Sequence, residues 1–180
     1  MTVATLHPAE LEPVIDNGLN PAIASLVEWA EAARAAHQIA VSLVKTSFVP
    51  AQFRDKPEEA TAAILAGGEV GLSPMASLRS FDIIQGVAAP RALTLRAVVQ
   101  AHGHEVWEEK ESATEAKVCG RRAGSTTVQS STWTLDRASR LGLTGRDQWK
   151  KQPQAMLVAR ATSEVCRRVA GDALLGIPYS

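Results

Sequence analysis

Apolar positions along this chain change period twice, from helical spacing to alternation and back, with proline and glycine marking most of the changes. Asn20-Pro21 sets a capping side chain before a proline at the first helical position. An Ala-rich segment then runs through Trp29 to about Val44, ahead of Pro50, and predicts the longest helix. Pro57-Glu58-Glu59 opens a second helix with carboxylates at its positive end, and Gly67-Gly68 closes it after Leu65. A short helix is expected near Ser73 to Leu78. Two apolar runs, 81–85 and 87–89, meet across Gly86 as a tight hairpin. A helix from Arg91 should stop at Gly103, and three strand-like pieces follow at 104–109, 115–122 and 126–133. Thr134 can cap a short helix over 135–141 ended by Gly142, and a last helix covers 153–170. Helices grouped before and after a run of strands indicate an α+β fold, a small antiparallel sheet packed with helices and ending in a long amphipathic helix.

Composition adds boundaries. Residues 1–19 carry Glu10, Glu12 and Asp16, two prolines and no Lys or Arg, and read as a flexible acidic arm; residues 20–180 read as one domain. No apolar run approaches the roughly 18 to 20 residues that span a membrane, and the first residues lack a secretory pattern, which predicts a soluble, intracellular protein. Cys119 and Cys166 lack metal-type spacing and fit a reduced compartment.

The formal net charge of zero conceals a split. Residues 121–180 hold ten Lys or Arg against four Asp or Glu, net +6, and residues 1–120 hold nine against fifteen, net −6. A basic final third is the asymmetry expected of a surface that binds a polyanion, although a solvated charged face accounts for charge alone equally well. Pattern narrows the choice. At about 100° per residue Arg160 and Arg167 fall nearly in line, with Arg168 further round, while Val158, Ala159, Thr162, Cys166, Val169 and Ala170 gather opposite. Lys150 and Lys151 lie in the segment leading into this helix. Trp149 beside them is a candidate contact, either stacking on an unpaired base or packing so as to orient the basic loop. Trp107 and Trp133 read as structural. Arg121, Arg122, Arg137 and Arg140 complete the candidate nucleic-acid-binding set.

Enzyme motifs are weak. Gly67-Gly68-Glu69-Val70-Gly71 lacks the Gly-Lys-Ser/Thr of a phosphate loop and no strand leads into it, so no nucleotide cofactor is expected. His102 and His104 read as ordinary cap and strand histidines, without the further ligands a metal would need. Glu115-Ala116-Lys117 on a strand could belong to a metal-dependent nuclease with Asp82 or a nearby glutamate, but a three-residue pattern in a chain this charged arises by chance.

An ordered set of motifs goes further. Ala63-Ile64-Leu65-Ala66-Gly67-Gly68-Glu69-Val70-Gly71-Leu72-Ser73-Pro74-Met75 is followed by Ile84-Gln85-Gly86 and Ala138-Ser139-Arg140-Leu141-Gly142-Leu143. Then come Trp149-Lys150-Lys151-Gln152-Pro153-Gln154-Ala155-Met156-Leu157, Arg160-Ala161 and Gly171-Asp172-Ala173-Leu174-Leu175-Gly176. In this order, over roughly residues 25 to 178, the chain resembles RecT-type single-strand annealing proteins, the recombinases of bacterial viruses and prophages. The resemblance implies ATP-independent binding of single-stranded DNA, annealing to a duplex, and assembly into rings or helical filaments in the cytoplasm of a bacterial host cell. It implies backbone contacts from Lys150, Lys151 and Arg160, with Arg167 and Arg168 as further candidates. Partners in such systems include a single-strand-binding protein and a companion exonuclease. Where the family often has a basic residue after the motif proline, this chain has Gln154.

Overall fold

The computed structural model describes residues 20–84 and 86–174; the acidic segment 1–19, Gln85 of the hairpin turn and residues 175–180, with the end of the last motif, lie outside them. The fold is α+β. Helix α1 (Pro21–Leu43) starts as the sequence predicts, with the Asn20 side chain accepting from the Ala22 N–H at 3.0 Å and Pro21 in the first turn. It buries only Ala36 and Ala40, small residues that admit α2 (Pro57–Gly68). Between them a 3₁₀ turn (Ala51–Phe53), which the sequence pattern does not announce, buries Phe53 completely. Helix α3 (Pro74–Ser80) leads directly into the antiparallel hairpin β1 (Phe81–Ile84) and β2 (Val87–Pro90). These elements and Phe53 share one core cluster, centred on Ala60, Ile64, Leu78 and Phe81.

Helix α2 ends at Gly68, as the glycine pair predicts, and the first of the two glycines has a second role. Gly67 is not simply a stop signal. A Cβ placed there would lie 2.0 Å from Ser77 Oγ and 2.5 Å from Ser77 Cβ, so this glycine is what lets α3 cross α2. Gly68 has open space around it. Gly67→Ala is therefore expected to destabilise the protein by about 2 kcal/mol through overpacking, whereas Gly68→Ala should stabilise it by up to about 1 kcal/mol through helix propensity. Urea denaturation of the two variants beside the parent chain checks both signs.

The second core cluster holds the C-terminal half. Helix α4 (Ala92–Ala101) is followed by β3 (Glu105–Glu111), β4 (Glu115–Arg121) and β5 (Val128–Thr134), an antiparallel sheet in the order β3-β4-β5. Then come α5 (Leu135–Arg140), α6 (Asp147–Lys151) and α7 (Pro153–Val169). Side chains alternate across β4. Ala116, Val118 and Gly120 turn toward α7, and Glu115, Lys117, Cys119 and Arg121 turn away. The outward face is tied by ion pairs, Lys117 to Glu109 at 2.7 Å, Arg121 to Glu105 at 2.7 Å and Lys110 to Glu115 at 2.5 Å. Beneath them the Cys119 thiol donates to Glu109 at 2.9 Å; this bond and Lys117 hold the Glu109 carboxyl below its ordinary pKa, and burial pushes the Cys119 thiol up.

The face that α7 buries is rotated from the expected one. Thr162, Cys166, Val169 and Ala170 are buried as expected, but Leu157, Ala161 and Val165 join them, whereas Val158 and Ala159, also expected inside, are half-exposed. Apolar and small residues cover more than half the circumference of this helix, so periodicity alone leaves its rotation open. The sheet decides it: Gly120 opens a trough that receives Val165 and Val169. A fully buried Leu or Val contributes about 1.5–3 kcal/mol, which makes this contact a main source of stability. Burial also pushes the Cys166 thiol up to about 11.

Both outer strands of this sheet have carbonyls occupied by arginines. Arg96 donates to Val106 O on β3 at 3.0 Å, Arg137 donates to Thr132 O on β5 at 3.0 Å, and Arg168 donates to Ser130 O. Among the described residues no helix is long and apolar enough to cross a membrane.

Candidate nucleic-acid interface

Trp133 is the penultimate residue of β5, and α5 begins directly after Thr134, the last one. Thr134 caps that helix, its hydroxyl oxygen accepting from the Arg137 N–H at 3.1 Å. The cap fixes Arg137 one helical turn beyond Trp133, with the guanidinium carbon 4.0 Å from the centre of the indole ring. Arg160 reaches the same ring from α7 at 5.8 Å. Leu141 and Leu143, just after α5, complete a cleft of about 360 Å³ with Ser163, Glu164 and Arg167.

Arg160 and Ser163 also line a second cleft, of about 230 Å³, whose other wall is the β1–β2 hairpin and the start of α4. That wall carries Arg91, paired with Asp82 at 2.9 Å. The two hollows therefore meet at Arg160, forming a track along the outer side of α7. Its walls present the guanidiniums of Arg91, Arg137, Arg160 and Arg167 against the carboxylates of Asp82 and Glu164.

Glu164 organises the inner part of this track. Its side chain is 12% exposed, and it accepts from Ser131 Oγ at 2.6 Å and from Arg137 at 2.7 Å, with Arg168 3.7 Å away. Burial works against its ionisation, but the Ser131 hydroxyl and the Arg137 guanidinium outweigh burial and hold the carboxyl below its ordinary pKa. The buried Trp133 indole N–H faces the same carboxylate without closing a hydrogen bond of ordinary geometry. Arg137 is thus fixed on three sides, by ring, carboxylate and Thr132 carbonyl. Arg167 donates to Ser163 O at 3.1 Å, within its own helix.

The structure brings together three of the residues singled out from sequence, Arg137, Arg160 and Arg167. The others go elsewhere. Arg121 points from the opposite face of the sheet. Arg122 pairs with Asp172 at 2.5 Å beyond the end of α7, and Arg140 pairs with Asp136 at 2.7 Å on exposed α5. Arg168 turns to Ser130 O on β5. Lys150 and Lys151 are exposed on α6 outside both clefts, Lys151 pairing with Asp147 at 2.7 Å. For Trp149 the stacking alternative is corrected and the packing one holds. This residue is 3% exposed and packs in the core with Leu157, leaving no ring face for a base, and its segment is a short helix where a loop was expected. The amphipathic end of α6 drives an apolar ring inward while the two lysines face water.

Arg91, Leu141, Leu143 and Glu164 are lining residues that sequence reasoning did not select. Glu164 had a signal, since it stands four residues from both Arg160 and Arg168. Arg91 had none, because only the tertiary fold carries the hairpin to α7.

In the strand pattern Glu115-Ala116-Lys117 the nearby glutamate, Glu109, is engaged as an ion-pair partner. Glu115 pairs with Lys110, Lys117 pairs with Glu109, and Asp82 sits in the other sheet with Arg91 and Gln52. Among the described residues no three His, Cys, Asp or Glu side chains converge as a metal site. His102 and His104 act locally, with His102 Nδ1 2.9 Å from Val98 O and His104 Nδ1 accepting from Ala123 N at 3.1 Å. No family model, curated protein or solved structure matches this chain.

Proposed function

We propose that this protein binds single-stranded DNA along the outer side of α7, without regard to sequence, and speeds the pairing of complementary strands as an oligomer, without nucleotide hydrolysis. The observation that carries the reading is the two-part cleft joined at Arg160, in which guanidiniums outnumber carboxylates two to one. Guanidinium groups match phosphate oxygens in charge and in fork geometry, and each phosphate they neutralise releases condensed counterions. The motif order from residue 63 to residue 176 supports the step from binding to annealing.

Pairing in this scheme needs no bond chemistry. The cations hold the backbone, Watson–Crick pairing supplies specificity, and neighbouring subunits lengthen the track, so that affinity rises with assembly. The internal ion pairs do not oppose this. Exposed pairs such as Arg91 with Asp82 are individually worth about 0–1 kcal/mol, and a phosphate can take the place of such a carboxylate.

Mixing labelled complementary oligonucleotides with the protein, with and without magnesium, is expected to give faster duplex formation and intact strands without nucleotide. Retention of strands with no gain in pairing rate would make the protein a passive binder. Magnesium-dependent shortening of strands that is lost in Glu115→Gln or Lys117→Ala would replace annealing by the nuclease reading.

A further inference from the structure

The cleft beside Trp133 is not lined as a phosphate groove alone would be. Phosphates need cations facing water, yet the rim of this cleft is Leu141, 58% exposed, backed by the half-buried Leu143. An exposed leucine among arginines adds no Coulomb attraction. It does offer apolar contact to a ligand that is itself part apolar. The volume, about 360 Å³, falls within the roughly 300–1,000 Å³ of small-ligand sites.

The polar groups have a matching arrangement. Arg137 lies over the indole ring at 4.0 Å and is fixed there by Glu164, so its guanidinium is a preoriented plane backed by an aromatic ring. Guanidinium planes are weakly hydrated and stack on flat π-systems. Arg160 and Arg167 stand on the same helix two turns apart, at the two ends of the α7 side of the cleft. The sequence of groups, cation, apolar rim with a stacking plane, cation, is complementary to phosphate, base, phosphate.

We propose that this cleft receives one unpaired nucleobase of the bound strand, between Leu141 and the plane of Arg137, with the flanking phosphates on Arg160 and Arg167. This inference rests on the single-strand-binding reading and adds to it a reason for preferring unpaired strands: a base stacked within a duplex cannot enter. A base held here must leave before it can pair, so cleft occupancy and annealing compete, and the second strand releases the first from its subunit.

The test compares oligothymidylate with an abasic strand of the same length and the same number of phosphates, at one salt concentration, by fluorescence anisotropy. The parent protein is expected to bind oligothymidylate at least fivefold more tightly. Leu141→Ser, at an exposed position where folding is not at risk, is expected to close most of that gap. Equal binding of the two strands by the parent protein, or an undiminished gap in Leu141→Ser, would overturn the base site while leaving phosphate binding in place. Failure of both strands to bind would overturn the single-strand reading and the base site with it.

Discussion

Arg160→Glu is expected to weaken single-strand binding about a hundredfold and to remove accelerated annealing. Arg160 is where the two clefts join, so it is the one cation that a strand following either part must pass. Losing a charge-assisted contact costs about 1.5–3 kcal/mol, and the new carboxylate adds repulsion beside Glu164 and against the phosphates. Together these exceed the roughly 2.7 kcal/mol that corresponds to a hundredfold. The loss should be uniform across sequences, and the slope of log affinity against log salt should fall by about one phosphate contact. Titrations of two unrelated oligonucleotides at several salt concentrations measure both quantities. A variant that anneals like the parent chain would remove the α7 track from consideration. Lys150→Ala and Lys151→Ala make a useful contrast, because both lysines lie outside the clefts.

Gly120→Ala should be among the most damaging single-methyl changes in the described residues. The added Cβ would stand 2.6 Å from Val165 Cγ1, 2.9 Å from Val169 Cγ2 and 3.0 Å from the Glu105 carbonyl oxygen. Backbone on one side and a packed helix on the other leave no direction of relief, so a cost of about 3 kcal/mol is expected, the upper end for overpacking. Chemical denaturation measures it. Gly145→Ala, where nothing lies within 4 Å, serves as the control. Because relief requires α7 to lift from the sheet, strand binding by the folded fraction should fall as well.

These cases show how far residue patterns reach. Element boundaries were legible where a residue has a fixed backbone habit: Pro21, Pro57 and Pro153 start helices, and Gly103 follows the end of α4. Alternation found all three strands of the larger sheet within a few residues. The rotation of α7 was not legible, because Gly120 chooses it from across the core. The same limit applies to the site. Arg160 and Arg167 could be aligned by helical arithmetic, but the pairing of Arg122 with Asp172, the burial of Trp149 and the arrival of Arg91 depend on contacts between distant segments. A basic stretch of sequence therefore overstated how many cations share one surface.

The arginines seated on the outer strands bear on how any mutational survey should be read. An open strand edge is a template on which another chain can add a strand, the route to edge-to-edge aggregation. Here Arg96 from α4 covers an edge carbonyl of β3, and Arg137 from α5 and Arg168 from α7 cover edge carbonyls of β5, with charged, bulky groups. Stripping Arg137 or Arg168 to alanine would uncover that template at the moment it removes a cation, and precipitated protein would pass for a DNA-binding defect. Lysine, which keeps the charge and still guards the strand, is the substitution that separates the two.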